Sequence, residues 1–571
     1  MTGNFTHADP ALRPMLDRVL APEDRDRLFP LLDELGALAA GELDRLAAVA
    51  DANPPILRQF DPSGERIDEV DHHPAYHRMA ELAFERYGLA AMSHRPGVLG
   101  WPARVPHVVK YALSYVFVQA EFGLACPVSM TDSAARVLRL FDPDRFAAEI
   151  AALTSTDPAG RATGAMFMTE RQAGTDVGRT ETEATDHGGH WTLRGRKWFA
   201  SNVAADLVLT LARVPGQGQG TRGLGLFLVP RRRPDGTRNA VRIDRLKDKL
   251  GARSMASGEV TLEDAYAQPV GDPRNGFRQM AEMINVSRLS NAMRAAALMR
   301  RAVTESVAHT RQRVVFGKAL FDQPLMRATL LPLLLDAEAA LAMVLDAAAT
   351  LDRADAGDAE ARRLVRVLTP LAKHTLCKRA RAVTGEAMEI RGGNGYIEDW
   401  VNPRLLRDAH LGSIWEGSSN VIALDVLRCV RRDAAHELLA DTYLARLDAV
   451  PGPAAKVLAR HWRELRERGA RLLAREADAQ EVAAPRYADA LCRAVMATLL
   501  LEHAGDHRSR LAGDHRSRLV AHAYLRGLLG DGEPAPEALR HLGALADGGP
   551  VPADDAQRAL GPVTNEEIVH A

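Results

Sequence analysis

The chain has 571 residues, more than one compact hydrophobic core usually holds, so we expect two to four domains. Its composition of 46% hydrophobic and 26% charged residues is typical of a globular protein. The 73 basic and 74 acidic side chains leave a formal net charge of −1. This balance excludes a global electrostatic field that would attract nucleic acid or a membrane surface.

The four cysteines, Cys126, Cys377, Cys429 and Cys492, lie far apart in the sequence. Their spacing indicates free thiols in a reducing cytoplasm, with neither a zinc site nor a redox dithiol. The N-terminal segment lacks the apolar core of a signal peptide, and no stretch approaches the roughly 20 apolar residues that cross a bilayer. We therefore expect a cytoplasmic protein with no resident metal and no membrane segment.

Four segments follow one another along the chain. Residues 1–165 are predicted to form an N-terminal α-domain, because Ala- and Leu-rich helical periodicity runs from about Pro30 to Leu153. Residues 166–275 contain short strand-like runs between Gly-rich turns, which predict a small antiparallel β-domain. Residues 276–435 return to long helical periodicity and predict a bundle, with Leu334, Ala337, Leu341 and Val344 on one stripe.

Residues 436–571 are predicted to form a further helical tail that ends in a looser Pro/Gly-rich stretch. Within the tail the octapeptide AGDHRSRL occurs twice without a gap, at 504–511 and 512–519. We interpret the repeat as a slippage duplication without a function of its own.

Two motifs lie in the predicted β-domain. Residues 166–180, MFMTERQAGTDVGRT, combine a hydroxyl with small residues that let backbone N–H groups approach a ligand. Residues 195–202, GRKWFASN, place aromatics before Ser201, so a ring can stack on a flat cofactor while the hydroxyl bonds it. Taken alone, the first motif is equally compatible with a surface loop, and the second is more typical of a strand whose aromatics lie in the core.

Three motifs lie in the predicted bundle. TRQRVVFGKAL carries Arg313 and Phe316, and EIRGGNGYIEDW carries Gly392 and Gly393 near a helix end. Taken alone, these are compatible with a solvated charge and helix caps. In LGSIWEGSSN, Glu416 lies between apolar residues and a helix start, where it is either a carboxylate favoured by the helix dipole or a shielded general base.

Taken in order, the motifs over about Pro30 to Val430 resemble the acyl-CoA dehydrogenase family, which repeats MTE…AG[ST]D, [KR].W…[ST]N, R…FGK, GGNGY and YEG[TS]. The resemblance implies an α+β, mostly α fold: an N-terminal α-domain, a central antiparallel β-domain and a C-terminal four-helix bundle, here with an extra helical domain. It also implies FAD as the cofactor and an obligate dimer, assembled as a homotetramer.

The resemblance also implies residue roles. Glu416 removes the α-proton of an acyl thioester while the β-hydrogen leaves as hydride to the flavin. The flavin is expected to face Met166, Met168, Thr169, Thr175, Phe199, Ala200 and Ser201. The remainder of FAD is expected to contact Arg313, Phe316, Gln323, Gly392, Gly393, Ser418 and Asn420, in part across subunits.

The sequence departs from the family at Arg171, Glu389 and Trp415, where proline, glutamine and tyrosine are usual. Trp415 should narrow the route to the base and disfavour long acyl chains. With the extra tail, these departures resemble the AidB-type alkylation-response subgroup. The alternatives therefore stay open: a dehydrogenase of a short or branched acyl thioester with unknown electron acceptor, a flavoprotein that binds double-stranded DNA with vestigial activity, or an oxygen-using flavin enzyme.

The tail is the expected DNA-binding region, although 17 basic and 20 acidic side chains from residue 436 onward give it a net charge of −3. Between residues 456 and 475, seven basic side chains face two acidic ones. A local surplus of this kind can bind phosphates, or it can be a solvated helix face. The candidates are Arg428, Arg460, Arg468, Arg471, Arg475, Arg508, Arg510, Arg516 and Arg518.

Overall fold

The computed structural model describes residues 3–505, 515–530 and 533–561. The chain folds into two compact units. The helical unit comprises Met1–Gly41, His107–Gln119 and Asn291–Ala571, and the β unit comprises Glu42–Pro106 and Ala120–Ser290. Each unit is thus assembled from segments that are distant in the sequence.

The helices before the sheet are short or medium in length. In chain order they are α1 (Leu12–Val19), α2 (Pro22–Leu38), α3 (Asp44–Ala52), α4 (Pro74–Ala80), α5 (His107–Val118), α6 (Ala125–Phe141) and α7 (Ala147–Leu153). Short π-helical turns at Ala39–Leu43 and Glu81–Arg86 extend α2 and α4.

The long helices follow the sheet. They are α8 (Gly276–Gln312), α9 (Pro324–Asp355), α10 (Ala359–Ile390), α11 (Val401–Gly412) and α12 (Ser419–Asp433), and then, in the tail, α13 (Ala435–Asp448), α14 (Pro453–Leu473), α15 (Ala477–Ala504), α16 (Arg516–Leu529), α17 (Pro536–Arg540), α18 (Leu542–Asp547) and α19 (Ala553–Arg558). The order of helices, strands, helices and helical tail agrees with the sequence prediction.

The core of the helical unit forms around α9. The predicted stripe is buried at all four positions, Leu334, Ala337, Leu341 and Val344. Helices α5, α10 and α15 pack against α9, and α10 also contacts α11 and α12. By length and composition α9 could cross a membrane, which the sequence analysis missed, but 78% of its apolar window is buried inside the protein. It is therefore the core helix of the bundle.

The strands of the β unit form a hairpin and a seven-stranded sheet. They are β1 (Ile56–Phe60), β2 (Arg66–Asp71), β3 (Gly164–Phe167), β4 (Glu183–Asp186), β5 (Trp191–Ser201), β6 (Leu207–Arg213), β7 (Leu224–Pro230), β8 (Val241–Leu246) and β9 (Ser257–Pro269). The sheet order is β3-β6-β4-β5-β9-β7, with β8 on β9, and a further β6–β7 pairing closes the sheet on itself. Its core includes Phe167, Leu193, Phe227 and Val260.

Two details correct the sequence prediction for this region. The sheet is mixed, because β3 pairs in parallel with β6 and β4 also meets β6 in parallel, whereas the other strand pairs are antiparallel. The start of β3 packs on α6, where Thr131 Oγ1 accepts a bond from Gly164 N at 2.9 Å and a Cβ on Gly164 would lie 2.9 Å from the Thr131 backbone. Second, β1 and β2 form an antiparallel hairpin within the predicted α-domain.

Candidate functional site

A buried ion pair joins the two motifs of the β unit. Lys197, on β5, places its Nζ 2.8 Å from Glu170 Oε1 and 2.9 Å from the Leu211 carbonyl. The Glu170 carboxylate also accepts bonds from Thr182 Oγ1 at 2.5 Å and from the Glu181 backbone N–H at 2.7 Å. Because a buried charge needs such partners, this cluster fixes the loop after β3 against β5.

The carboxylate at the centre of this cluster remains ionised. Burial alone would raise the pKa of Glu170, but Lys197 and the hydrogen bonds from Thr182 and Glu181 hold it below its ordinary value of 4.5. The ionised form stabilises the fold above that ordinary value, and this contribution is lost as the pH falls through the folded-state pKa.

The flavin-facing residues predicted from the sequence gather at one end of β3 and β5. Met166 lies in β3, Met168 and Thr169 follow it, and Thr175 is exposed further along the loop. The Trp198 N–H donates to the Thr169 carbonyl at 2.8 Å, which brings the loop alongside β5. The structure thus brings Met168 and Thr169 alongside β5, whereas Thr175 lies further along the exposed loop.

The end of β5 presents an aromatic side chain and a hydroxyl. Phe199 is 55% exposed, Ser201 is half-buried, and Ala200 between them is fully buried. The Ser201 and Ser257 hydroxyls are 3.4 Å apart, so Ser201 retains capacity for a further hydrogen bond. Only the backbone of Ala200 can face a ligand, because its methyl group lies in the core.

Cations surround the neighbouring Trp198. Lys247 Nζ lies 3.5 Å from the centre of its ring, and the Arg171 guanidinium lies 5.8 Å from it. Lys247 also pairs with Glu259 at 2.5 Å. The unusual Arg171 is therefore accommodated at the indole face.

In the helical unit, the second group of predicted cofactor residues begins at a hairpin after α8. Strands β10 (Val314–Val315) and β11 (Lys318–Ala319) pair around a tight turn at Phe316 and Gly317, whose φ angles are 48° and 82°. Phe316 is 98% exposed, and Arg313 is exposed at the hairpin base. Gln323 braces the hairpin by donating to the Val315 carbonyl at 3.0 Å.

The glycine motif lies at the end of α10. Gly392 and Gly393 are exposed, whereas Gly395 packs so closely that a Cβ would lie 2.1 Å from the Met388 carbonyl oxygen. The Arg391 guanidinium donates to Glu305 at 2.7 Å and covers the Trp400 ring. The positive charge of Arg391 is therefore paired with Glu305. Glu389, which stands where glutamine is usual, is exposed.

Glu416 lies in a strained turn between α11 and α12. Its φ is 57°, a left-handed conformation that costs free energy in a non-glycine residue and recurs at functional sites. Gly417 follows with φ 102°, and Lys373 donates to the Gly417 carbonyl. Ser418 and Asn420 are exposed, and Ser418, at the start of α12, makes no side-chain capping bond.

Trp415, next to Glu416, is fixed by two side chains of α8. Its Nε1 donates to Asn291 Oδ1 at 2.8 Å, and Asn291 Nδ2 donates to the Gly412 carbonyl at 2.9 Å. The Arg294 guanidinium lies 4.6 Å from the ring centre. Sequence analysis missed Asn291, Arg294 and Lys373, because each acts through a contact that is distant in the sequence and forms no local motif.

The arginine stripe of the tail, defined as Arg460, Arg468, Arg471 and Arg475, lies on α14 and just after its end. Three of the four side chains are exposed and Arg460 is half-buried. Arg471 lies 3.4 Å from Glu467, and Arg468 lies over the Tyr487 ring at 5.9 Å. Arg428, on α12, pairs with Asp425 at 2.7 Å.

One predicted DNA contact is corrected by the structure. Arg516 is 5% exposed, its Nη1 lies 3.2 Å from Glu338, and its Nε donates to the Leu545 carbonyl at 3.1 Å. This guanidinium anchors α16 on α9 and does not reach the surface. Arg518 is half-buried on the same helix, and Arg508 and Arg510 lie outside the described residues.

Comparison with known proteins agrees with this architecture. Residues 1–157 match the AidB N-terminal domain of the adaptive response protein, residues 165–265 the middle domain of acyl-CoA dehydrogenases, and residues 274–430 their C-terminal domain. The putative acyl-CoA dehydrogenase AidB of Escherichia coli (strain K12) is 38% identical over 455 residues, covering 77% of this chain and 81% of that protein.

Two solved structures are also similar. Caenorhabditis elegans ACDH-11, in complex with C11-CoA, superposes with a TM-score of 0.83 and 28% identity, over 90% of each chain. The apo form of Bd2924 superposes with a TM-score of 0.80 and 32% identity, over 88% of this chain and 98% of the other. The fold and the site motifs thus define a flavoprotein oxidoreductase.

More specifically, the chain belongs to the acyl-CoA dehydrogenase family and is similar to its AidB-type members, which confirms the predicted family and fold class. FAD is the cofactor of this family and of this chain. The residues at the end of β5 fit it, because the exposed ring of Phe199 can stack on a flat heterocycle and the Ser201 hydroxyl can bond its polar edge.

The buried ion pair should be essential to the β unit. Changing Glu170→Gln leaves Lys197 buried without a counter-charge, so we expect a loss of about 3–5 kcal/mol in the free energy of unfolding. Urea unfolding, followed by circular dichroism, measures this loss. The double change Glu170→Gln with Lys197→Met should recover much of it, because both buried charges are then removed.

Asp264→Asn is the matched control, since Asp264 pairs with Arg194 on the same sheet but both side chains are more than half exposed. It should cost less than about 1 kcal/mol. Equal losses in Glu170→Gln and the control would contradict the assigned role of the pair.

The end of β5 should determine FAD affinity. The purified protein should be yellow with one FAD per chain, and Ser201→Ala combined with Phe199→Ala should weaken FAD binding by at least about tenfold through the lost hydrogen bond and stacking. Flavin fluorescence during titration of the apoprotein measures the dissociation constant. Thr192→Ala, at the opposite end of β5, is the control and should bind FAD as the wild type does; unchanged affinity in the double variant would place the flavin elsewhere.

Proposed function

We propose that the protein is an FAD-dependent dehydrogenase that introduces an α,β double bond into an acyl thioester, with Glu416 as the general base. The observation that carries the proposal is the left-handed backbone of Glu416, held between two helices by contacts on both sides. A turn of this kind is stable only when its surroundings fix it, and here it presents a carboxylate in a defined direction.

The chain's own residues supply the acid–base and positioning parts of this reaction. The Glu416 carboxylate takes the α-proton of the thioester, and its backbone N–H polarises the thioester carbonyl. Lys373 fixes the following peptide group through the Gly417 carbonyl, so the turn keeps its orientation during proton transfer. When bound, FAD supplies a hydride acceptor for the β-hydrogen.

The thioester that we propose has a short or branched acyl group on CoA. Trp415 cannot rotate freely, because Asn291 bonds its indole nitrogen and Arg294 covers its ring. A fixed indole next to the base narrows the approach for extended chains. The related ACDH-11 is described in complex with C11-CoA, so a medium-length chain is the natural comparison in a substrate panel.

The proposed base can be tested directly. Glu416→Gln should retain the fold and FAD but reduce flavin bleaching by acyl-CoA by about 10²–10⁴-fold, because only the proton acceptor is lost. Anaerobic stopped-flow absorbance with butyryl-, isovaleryl- and undecanoyl-CoA measures the rates.

Glu398→Gln is the control, since Glu398 is an exposed carboxylate of the same unit that pairs with Arg407. Bleaching at an undiminished rate in Glu416→Gln would show that the base lies elsewhere. No bleaching of the wild type by any thioester would remove the dehydrogenase proposal itself.

A second candidate function is favoured by the arginine stripe. We propose that the stripe binds double-stranded DNA without sequence preference. In this proposal the protein is a flavoprotein of the alkylation-damage response, and its dehydrogenase activity is weak. Its support is the exposure of Arg468 and Arg471 on α14 and of Arg475 just after its end, within a segment of local positive charge. The match of residues 1–157 to the N-terminal domain of the adaptive response protein AidB is consistent with a role in such a response.

The DNA proposal predicts a salt-dependent affinity. Changing the four stripe arginines to Gln should weaken binding to an unrelated duplex, and the slope of log affinity against log salt should fall by roughly 0.9 per lost phosphate contact. Fluorescence anisotropy at low and moderate salt measures both quantities. As a control, Arg222, Arg232, Arg233 and Arg362, all exposed and outside the tail, are changed to Gln and should leave binding intact. If the stripe variant and the control variant lose DNA affinity equally, the loss reflects the change in total charge and the stripe is not the binding site.

We also propose a homotetramer in the cytoplasm. The exposed apolar side chains of the helical unit support self-association, since Phe316, Leu325 and Tyr396 are at least 80% exposed. Phe316 and Tyr396 lie within two of the predicted cofactor motifs, and Leu325 follows the predicted cofactor residue Gln323.

A further inference from the structure

A cavity of about 470 Å³ lies within the helical unit, between the bundle and the tail. Helices α8, α9 and α10 form one side, and α15 and α16 form the other. Its volume falls in the range of small-molecule sites, about 300–1,000 Å³, and it is partly open to solvent. The residues proposed above for FAD, thioester or DNA do not line it.

The wall combines an apolar surface with a positively charged one. Met299, Leu335, Leu376 and Met496 provide the apolar part. The charged residues of the lining are Lys378, Arg379, Arg493, Asp336 and Asp489, which sum to one surplus positive charge.

The surplus positive charge lies on two of these side chains, Lys378 and Arg493. Arg379 is neutralised by a short ion pair with Asp336. Among residues 3–505, 515–530 and 533–561, Lys378 and Arg493 have no carboxylate within ion-pair distance, although Asp489 and Asp336 act on Arg493 at longer range. An anionic group therefore complements the wall better than a cation does.

Two buried hydroxyls strengthen this assignment. Thr375 Oγ1 and Tyr524 Oη both belong to the cavity wall, and both are buried without a hydrogen-bond partner of good geometry in the described part of the chain. The Cys492 thiol interacts with the Thr375 hydroxyl, and the Arg493 guanidinium interacts with the Tyr524 hydroxyl. Neither contact has the geometry of a full hydrogen bond, so both hydroxyls keep capacity for a further partner. Buried polar groups normally have partners, so an acceptor supplied by a ligand would satisfy both hydroxyls.

We propose that this cavity binds an amphipathic monocarboxylate, with its carboxylate near Arg493, Thr375 and Tyr524 and its hydrocarbon chain against Met299, Leu376 and Met496. The site is separate from the proposed thioester chemistry and does not depend on it. A carboxylate accepts from both hydroxyls and the guanidinium at once, whereas an alcohol or an amine leaves at least one of them unmatched.

The test is isothermal titration calorimetry of the full-length FAD-loaded protein with decanoate, decanol and decylamine as probes. Decanoate should bind one site per chain and at least about tenfold more tightly than decanol, because hydrogen bonds to a charged group are the stronger ones. Arg493→Gln should weaken decanoate by about ten- to hundredfold. Its matched control is Arg486→Gln, an exposed arginine of the same helix.

A second variant avoids any loss of folding. Thr375→Val with Tyr524→Phe removes only the two hydroxyls and nearly preserves the side-chain volumes, so the protein should stay folded while decanoate binding weakens. Thr384→Val on the same helix is the control, because its hydroxyl donates to the Ala380 carbonyl and lies outside the cavity. Absence of decanoate binding, equal or tighter binding of decylamine, or unchanged affinity in both cavity variants would overturn the proposal.

Discussion

The ion pair between Glu170 and Lys197 is the interaction on which the end of the β unit that we expect to face the flavin depends. It is buried, and its carboxylate is held by the Lys197 ammonium, a hydroxyl and backbone N–H groups. An unpaired charge at this depth is costly, so the loop after β3 and the end of β5 cannot separate without breaking the whole cluster. Thr169 and Phe199 therefore share one rigid support although they belong to different motifs.

The turn at Glu416, in the helical unit, likewise depends on the side chains around it. Its left-handed backbone is unfavourable in isolation, and the surrounding side chains make it stable: Lys373 bonds the Gly417 carbonyl, and Asn291 bonds both Trp415 and Gly412. Strain of this kind persists only where the structure over-determines it. The motif around Glu416 thus specifies a backbone conformation as well as the carboxylate that we propose as the base.

Sequence patterns predicted what depends on local periodicity. The four-residue stripe of α9 is buried as its spacing indicates, because a helical period reports the buried face directly. The hairpin of β1 and β2 was missed because β1 alternates only between exposed and half-buried residues and has no clear core face. The buried role of Arg516 was equally inaccessible, since its partner Glu338 lies 178 residues away and nothing in the local spacing distinguishes it from an exposed arginine.

The tail is a structural part of the helical unit. Helix α9 is apolar enough to resemble a membrane span because it is covered on several sides, by α5 and α10 and also by α15 and α16 of the tail. The ion pairs of Asp346 and Glu338 with Arg446 and Arg516 then fix the tail across the same helix. A bundle without the tail would expose part of this apolar surface to water. The tail therefore stabilises α9 whether or not the tail binds a ligand. The outward-facing arginines of the tail and the cavity beneath the tail are additional to this structural role.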